Sequence, residues 1–335
     1  MNISQIEIKV NMKKQVLSIL LLSILLVLTA ATSASVNEPR KEEFTFMILS
    51  PYSYNTLDRF VTLGVSSTLK GYYQNKNINL KMVTLYLNNS INEYALDKKY
   101  LREIEKLNPK CIFITNGVLY HAVKDDLKDY KLYFINYNLE FNEKPDNYVN
   151  YIIDLDKLKR LLDTLGLCIN KFYIFRNCDR RNSFNISKLY IHAIERTFPR
   201  ALIEIKECKN TITLREKVKE ISNDQLGIII LSFRTILNED SEYITETEVI
   251  REMVNANKKH LELGFDELTT EGFLFSCAPT FKDIGINLAS IYLNQEHNHT
   301  DIPSKLSLNY NRLKKLNNIN WTISSDFYKY IDVIN

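Results

Sequence analysis

Short apolar runs of strand length alternate with stretches of helical period from Glu43 almost to the end of the chain, and the alternation restarts once. "EFTFMIL", "INLKMVTLYL", "KCIFIT" and "KLYFIN" are separated by helical stretches at Leu57–Tyr72, Glu93–Leu107 and Val118–Leu127. Strands this apolar bury both faces, and a helix between successive strands is the crossover that parallel pairing requires. The plan then repeats. A helix at Asp154–Leu165 precedes "KFYIF", one at Ser183–Phe198 precedes "ALIEIK", Thr213–Ile221 precedes "LGIIILSF", and Glu246–Asn257 precedes "HLELGF". The sequence therefore predicts two α/β lobes, each a doubly wound parallel sheet with helices on both faces. A length of 335 residues allows two such cores of about 150 residues each. The polar segment "NLEFNEKPDNYVN" between the copies reads as a crossing from one lobe to the other.

In open parallel sheets ligands sit beyond the carboxyl ends of the strands, so the segments that follow those ends are the candidate site. They nominate Ser50, Tyr52, Tyr54 and Asn55, then Thr115 and Asn116, then Asn138, in the first half. The second half supplies Arg176, Asn177 and Asn182, then Ser232 and Arg234, then Asp266. Arg234 directly follows the most apolar strand, which would hold its guanidinium on a rigid support. These side chains suit reversible polar recognition, although Asn and Ser are also ordinary turn residues. The segments carry no G-x-G-x-x-G, Walker lysine, G-x-S-x-G or H-E-x-x-H pattern, so no catalytic residue, metal ligand or cofactor is nominated. The expectation is a binding protein without enzymatic activity.

Residues 1–34 read as a signal peptide. Lys9, Lys13 and Lys14 precede the apolar run Val16–Leu28, and "TAATSAS" offers small residues for cleavage after Ala34. The run is short for a bilayer span of about 20 residues, and no cysteine stands there for lipidation. A soluble periplasmic protein is expected. Loss of this leader removes three lysines and one glutamate, so the formal charge falls from +3 to +1. That near-neutral balance gives no argument for a nucleic-acid partner. The five cysteines include no C-x-x-C. Cys111, Cys168 and Cys277 read as small core residues, while Cys178 and Cys208 near strand ends could pair in an oxidising compartment.

The last part of the chain adds a further pattern. In "GFLFSCAPTFKDIGINLASIYLNQ" a glycine-led strand is followed by Thr280 and Asp283, a helix-start pair, and by Ile284, Leu288 and Ile291 on one helical face. Asp301-Ile302-Pro303 then starts an extended segment. This order, with Gly272, Phe281, Gly285, Ile302-Pro303 and Asn309 or Asn311, resembles the C-terminal signature of ABC-transporter substrate-binding proteins related to the tryptophan/tyrosine uptake group. Leu57, Asp58, Gly64, Gly71, Tyr72, Asn77 and Ile78 resemble the same family's N-terminal pattern, and Asn182-Ser183 its helix-opening pair. The resemblance runs from about Glu43 to Trp321. Two loops depart from it: "NYNLEF" stands where the family has a Thr-Asp-Pro-like turn, and "RTILNEDSEYIT" replaces an Asp-Asn loop.

The resemblance implies a type I periplasmic-binding fold, with two lobes joined by a three-crossing hinge and a ligand held in the cleft. Residues 35–140 plus 272–304 would form the first lobe, and 141–271 plus 305–335 the second. The Gly272 strand and the helix after it would return to the first lobe, and the segment after Pro303 to the second. It further implies a small-molecule ligand and an ABC permease as partner. An aromatic amino acid would stack on Tyr52 or Tyr54 and present its carboxylate to Arg176, Arg180 or Arg234. The alternative is a periplasmic sensor module that reports occupancy to a membrane signalling protein.

Overall fold

The computed structural model describes residues 42–50, 56–76, 78–87, 96–136, 147–178, 181–222, 224–233, 236–264, 272–294, 299–316 and 328–334. Two parallel-dominated sheets organise them. The first is built on β1 (Glu43–Ser50), whose inner half is wholly buried, flanked by β2 (Asn79–Tyr86) and β3 (Ile112–Ile114). β4 (Leu132–Asn136), β5 (Tyr148–Tyr151) and β11 (His299–Ile302) extend it, giving the order β11-β5-β4-β3-β1-β2. The second runs β13-β12-β10-β9-β8-β6-β7. Its strands are β6 (Lys171–Asn177), β7 (Leu202–Cys208), β8 (Ile228–Leu231), β9 (Leu261–Gly264), β10 (Phe275–Ala278), β12 (Lys305–Leu308) and β13 (Val333–Ile334). β12 pairs antiparallel with β10 and β13 parallel with β12, so these two strands run against the rest of the sheet. Each sheet reverses its direction of growth once, at β1 in the first and at β6 in the second, as a doubly wound sheet must.

The helices follow the predicted amphipathic stretches closely. α1 spans Thr56–Gln74, α2 Lys98–Leu107, α3 Gly117–Val123, α4 Asp156–Thr164 and α5 Arg181–Thr197. α6 spans Thr211–Glu220, α7 Glu246–Ala256, α8 Phe281–Asn294 and α9 Tyr310–Lys315. Capping explains several starts. Asn210 and Thr245 each form a reciprocal capping box, with Thr213 and Glu248 respectively. Thr280 Oγ1 accepts from the Asp283 amide at 3.0 Å, so that pair does open α8.

Where the predicted boundaries differ, the pairing shows why. The polar segment between the copies was expected to be the crossing, but Tyr148–Tyr151 pairs with β4 and stays in the first sheet. Four half-polar residues carry too little periodicity to be recognised as a strand. The Gly272-led strand was expected to return to the first lobe, yet β10 pairs with β9 and β12 in the second sheet. The return comes one element later, at α8. Tyr292 of α8 enters the aromatic core of the first lobe, with ring centroids 5.3 Å from Phe46 and 5.7 Å from Tyr133. Its hydroxyl bonds that of Tyr73 at 3.0 Å. The segment after Pro303 does join the second sheet, as β12. Cys168 is exposed, because the apolar run "LGLCIN" forms a turn at Gly166, φ +66°, between α4 and β6. Cys111, Cys208 and Cys277 are buried, and none of the five cysteines forms a disulfide.

α1 and α8 touch through two glycines. A Cβ on Gly64 would collide with the Lys282 carbonyl oxygen, and one on Gly285 with the Val61 carbonyl oxygen. Only residues without a side chain let two helix backbones approach this closely. The second lobe is closed at its other end by a buried ion pair. Arg312 of α9 donates to both oxygens of the fully buried Glu262, at 3.2 and 2.5 Å, and to the Asn257 carbonyl at 3.2 Å.

Candidate ligand-binding cleft

The connections fix which ends of the sheets face each other. The chain leaves the first sheet at the carboxyl end of β5 and enters α4 of the second lobe. It leaves the second sheet at the carboxyl end of β10 and enters α8. It leaves β11, again at the carboxyl end, and two residues later starts β12, which begins beside the carboxyl end of β10. Three crossings therefore join the two sheets carboxyl end to carboxyl end. The cleft between parallel sheets so arranged is where their polar strand ends converge.

Six nominated residues come to these facing ends. Ser50 ends β1, Thr115 and Asn116 follow β3, Arg176 and Asn177 end β6, and Ser232 follows β8. All but Arg176 are buried. Asn182 lies in the first turn of α5. The side chain of Asn182, and the nominated Tyr52, Tyr54, Asn55, Asn138, Arg234 and Asp266, lie outside the described residues.

Several of these side chains hold the rim of the cleft in shape. Asn116 Oδ1 accepts the Leu119 amide at 3.3 Å and so starts α3. Ser232 donates its one hydroxyl proton to the Phe175 carbonyl at 2.9 Å. Ser183 lies 2.9 Å from Ser232 Oγ, so Ser183 must be the donor there, while it accepts the Asn177 amide at 2.9 Å. This chain of bonds pins the start of α5 against the ends of β6 and β8. Arg176 pairs with Glu207 on β7, and its guanidinium stacks 4.1 Å from the centre of the Phe184 ring. Its Nε is buried and without a partner.

The hinge contains functional candidates that sequence reasoning passed over. Asn136, Asn150 and Asp301 lie side by side on β4, β5 and β11. Asn136 Nδ2 donates to Asn150 Oδ1 at 2.7 Å, and Asn150 Nδ2 to Asp301 Oδ1 at 2.6 Å. Ser304 ties two crossings together, donating to the Ile152 carbonyl at 2.7 Å and accepting the Asp154 amide at 3.0 Å. The third crossing is held from the other side, since Lys305 Nζ lies 2.6 Å from Asp283 Oδ2. Burial opposes ionisation of Asp283, but the bonds from Lys305 and Thr280 outweigh it and hold the carboxyl below its ordinary value. No short-range spacing marks these partners, which stand 14, 22 and about 150 residues apart. A recess of about 400 Å³ lies beside the hinge, bordered by Asn150, Asp301, His192 and Arg196. The recess borders the carboxyl ends of β5 and β11, where Tyr151, Ile152 and Asp301 line it, and Arg196 is already paired with Asp154.

Among the described residues, no group of three or more His, Cys, Asp or Glu side chains is arranged to hold a metal ion. Nor is any described helix long and apolar enough to cross a membrane.

No family model matches the chain, and no curated protein matches its sequence. Solved structures do match its fold. A conserved domain protein from Vibrio cholerae superposes with a TM-score of 0.61 at 13% identity, covering 87% of this chain and 99% of that one. The ABC domain in complex with L-Trp from Streptococcus pneumonia gives 0.59 at 12% identity, covering 88% and 100%. A ligand-free, open substrate-binding protein with adhesive properties from Clostridium difficile gives 0.59 at 11%, covering 87% and 99%. The Lac repressor bound to ONPG gives 0.56 at 9%, covering 84% and 87%. Binding proteins and gene regulators thus share this architecture, and with two facing sheets and three crossings the chain has the type I periplasmic-binding and LacI-like fold.

Proposed function

We propose that the protein is a periplasmic solute-binding protein that captures a small molecule between its lobes and hands it to an ABC permease. The observation that supports this reading is the hinge. Three adjacent crossings joined by neutral or solvent-accessible hydrogen bonds allow two rigid lobes to rotate, and closure over a ligand is what a membrane partner can recognise. The leader-like residues 1–34 support export. The structural neighbour that contains L-Trp makes aromatic amino acids the first class to screen, followed by other small carboxylates. Arg176 is anchored by Glu207 and Phe184, so its guanidinium would meet a carboxylate only from a fixed position.

A second reading, a sensor module without transport, draws support from the likeness to ligand-responsive regulators such as the Lac repressor. A thermal-shift screen of amino acids and small carboxylates on the mature chain tests ligand binding itself. Small-angle scattering with the best hit should show a smaller radius of gyration on saturation. Loss of uptake of that solute in a deletion strain supports transport; unchanged uptake with a lost transcriptional or signalling response supports sensing. No stabilising ligand among small solutes would overturn both readings.

A further inference from the structure

We propose that the protein forms a two-fold symmetric dimer by antiparallel pairing of β7 with the β7 of a second copy. Among the described residues β7 is the last strand on its side of the second sheet, so one edge of its backbone is unpaired there. The pairing to β6 determines which groups lie on that edge. The Leu202 amide donates to the Asn170 carbonyl, and Cys208 accepts from the Cys178 amide, so even-numbered residues face β6. Ile203, Ile205 and Glu207 consequently turn their N–H and C=O groups outward, as alternation along a strand requires. Such an edge is a ready template for another strand, and proteins that remain monomeric usually blunt it.

β7 is poorly blunted. Leu202 is 67% exposed and Ile205 41% exposed, both large apolar side chains on this one strand. The edge strand of the first sheet, β2, instead keeps Leu80 and Met82 partly buried against its own core.

The occupant follows from charge and register. If two β7 strands pair about a two-fold axis at Ile205, the outward backbone groups of 203, 205 and 207 meet those of 207, 205 and 203 in hydrogen-bonded positions. Glu204 then stands opposite the partner's Lys206, and Lys206 opposite the partner's Glu204. Those are the non-hydrogen-bonded positions, where side chains approach most closely. "LIEIKEC" is therefore charge-complementary to itself in the antiparallel sense. Within one copy Glu204 already lies near Lys171 and Lys206, at 2.7 and 3.1 Å, so the carboxylate and ammonium stand ready at the edge. Pairing would produce a continuous sheet across both second lobes and leave the cleft and hinge free to move.

Sedimentation equilibrium of the full mature chain tests this. The wild type should show a concentration-dependent dimer. Ile205→Lys, which places a cation against its own symmetry mate, should raise the dimer dissociation constant by at least about tenfold. Glu204→Lys should weaken the dimer, and adding Lys206→Glu should restore it, because the reversed pair is again complementary. Thermal melts of the monomeric variants separate lost pairing from lost folding; an Ile205→Thr variant supplies a milder probe should the lysine variant unfold. A strictly monomeric wild type would overturn the proposal. So would a dimer indifferent to these changes, or one in which the double reversal fails to recover pairing.

Discussion

The hinge and the far end of the second lobe both bury polar groups, but in opposite ways. At the hinge the partners are the amides of buried Asn136 and half-buried Asn150, the exposed carboxylate of Asp301 and the hydroxyl of half-buried Ser304. At the far end the partners are a buried carboxylate and guanidinium, Glu262 and Arg312, with Asn257 saturating both. Asn257 also caps its own turn, accepting the Lys259 and His260 amides through Oδ1 at 3.2 and 3.0 Å. A neutral bond near water can break and re-form at a cost of about 1 kcal/mol, because water replaces the lost partner. A buried charge that loses its counter-ion has no such substitute. The first arrangement suits a part that moves, and the second a part that must not.

The sharpest way to break this contrast is Arg312→Leu. It leaves the Glu262 carboxyl buried without its cation, and chemical denaturation should show a loss of about 3–5 kcal/mol. The double variant Arg312→Leu with Glu262→Leu should recover much of that loss, because the isolated charge and not the missing pair is the main cost. Burial already pushes the Glu262 carboxyl upward against the pull of Arg312 and Asn257. Asn150→Ala comes next. It removes both rungs of the hinge ladder, for about 1–2 kcal/mol of stability. Its more telling effect should be a broader distribution of lobe angles in scattering of the ligand-free protein. A melt as damaged as that of Arg312→Leu would show that the ladder is structural and not hinge machinery.

Ser304→Ala should cost less, about 0.5–1 kcal/mol, while changing ligand affinity through the open–closed equilibrium. Calorimetry against the screened ligand checks it, and unchanged affinity would remove Ser304 from the hinge. The smallest expected effect is a pH dependence. His260 accepts the Gly227 amide at Nδ1 and contacts the Ile221 carbonyl through Nε2 at 2.7 Å, which fixes the neutral ring. Burial, chiefly, lowers its pKa below the ordinary value. The unfolded chain therefore takes up the proton first as pH falls below about 6.5, and stability should decline from there towards the lower folded-state value. A His260→Gln variant should lose this part of the acid slope.

Periodicity carried most of the architecture. The apolar strands and the α1, α5 and α7 stretches were readable because their burial repeats every two or every 3.6 residues. Thr280 and Asp283 were readable because a cap is a local contact. The hinge was not. Asn136, Asn150 and Asp301 are neighbours only because three strands lie side by side, and β5 and β11 are four residues each, too short to show a period. The role of Gly64 and Gly285 escaped for the same reason. A motif identified both glycines, but their mutual contact belongs to the packing of two distant helices. Of the cleft, sequence reasoning found the strand ends that face one another, but it credited Asn116 and Ser232 with ligand contacts, whereas their resolved bonds shape the rim.

The same pair of glycines has a consequence for how the chain reaches this structure. β1 to β4 are synthesised first, yet the aromatic core they surround is completed only when Tyr292 arrives, 219 residues after its hydroxyl partner Tyr73. Closing so long a loop is slow, because its entropy must be surrendered before the contact forms. The strands of the other sheet from β6 to β10 are contiguous in the chain and need no such wait. The half made first therefore waits for α8, near the end of the chain, and until α8 packs on it the face of α1 around Gly64 lacks its partner.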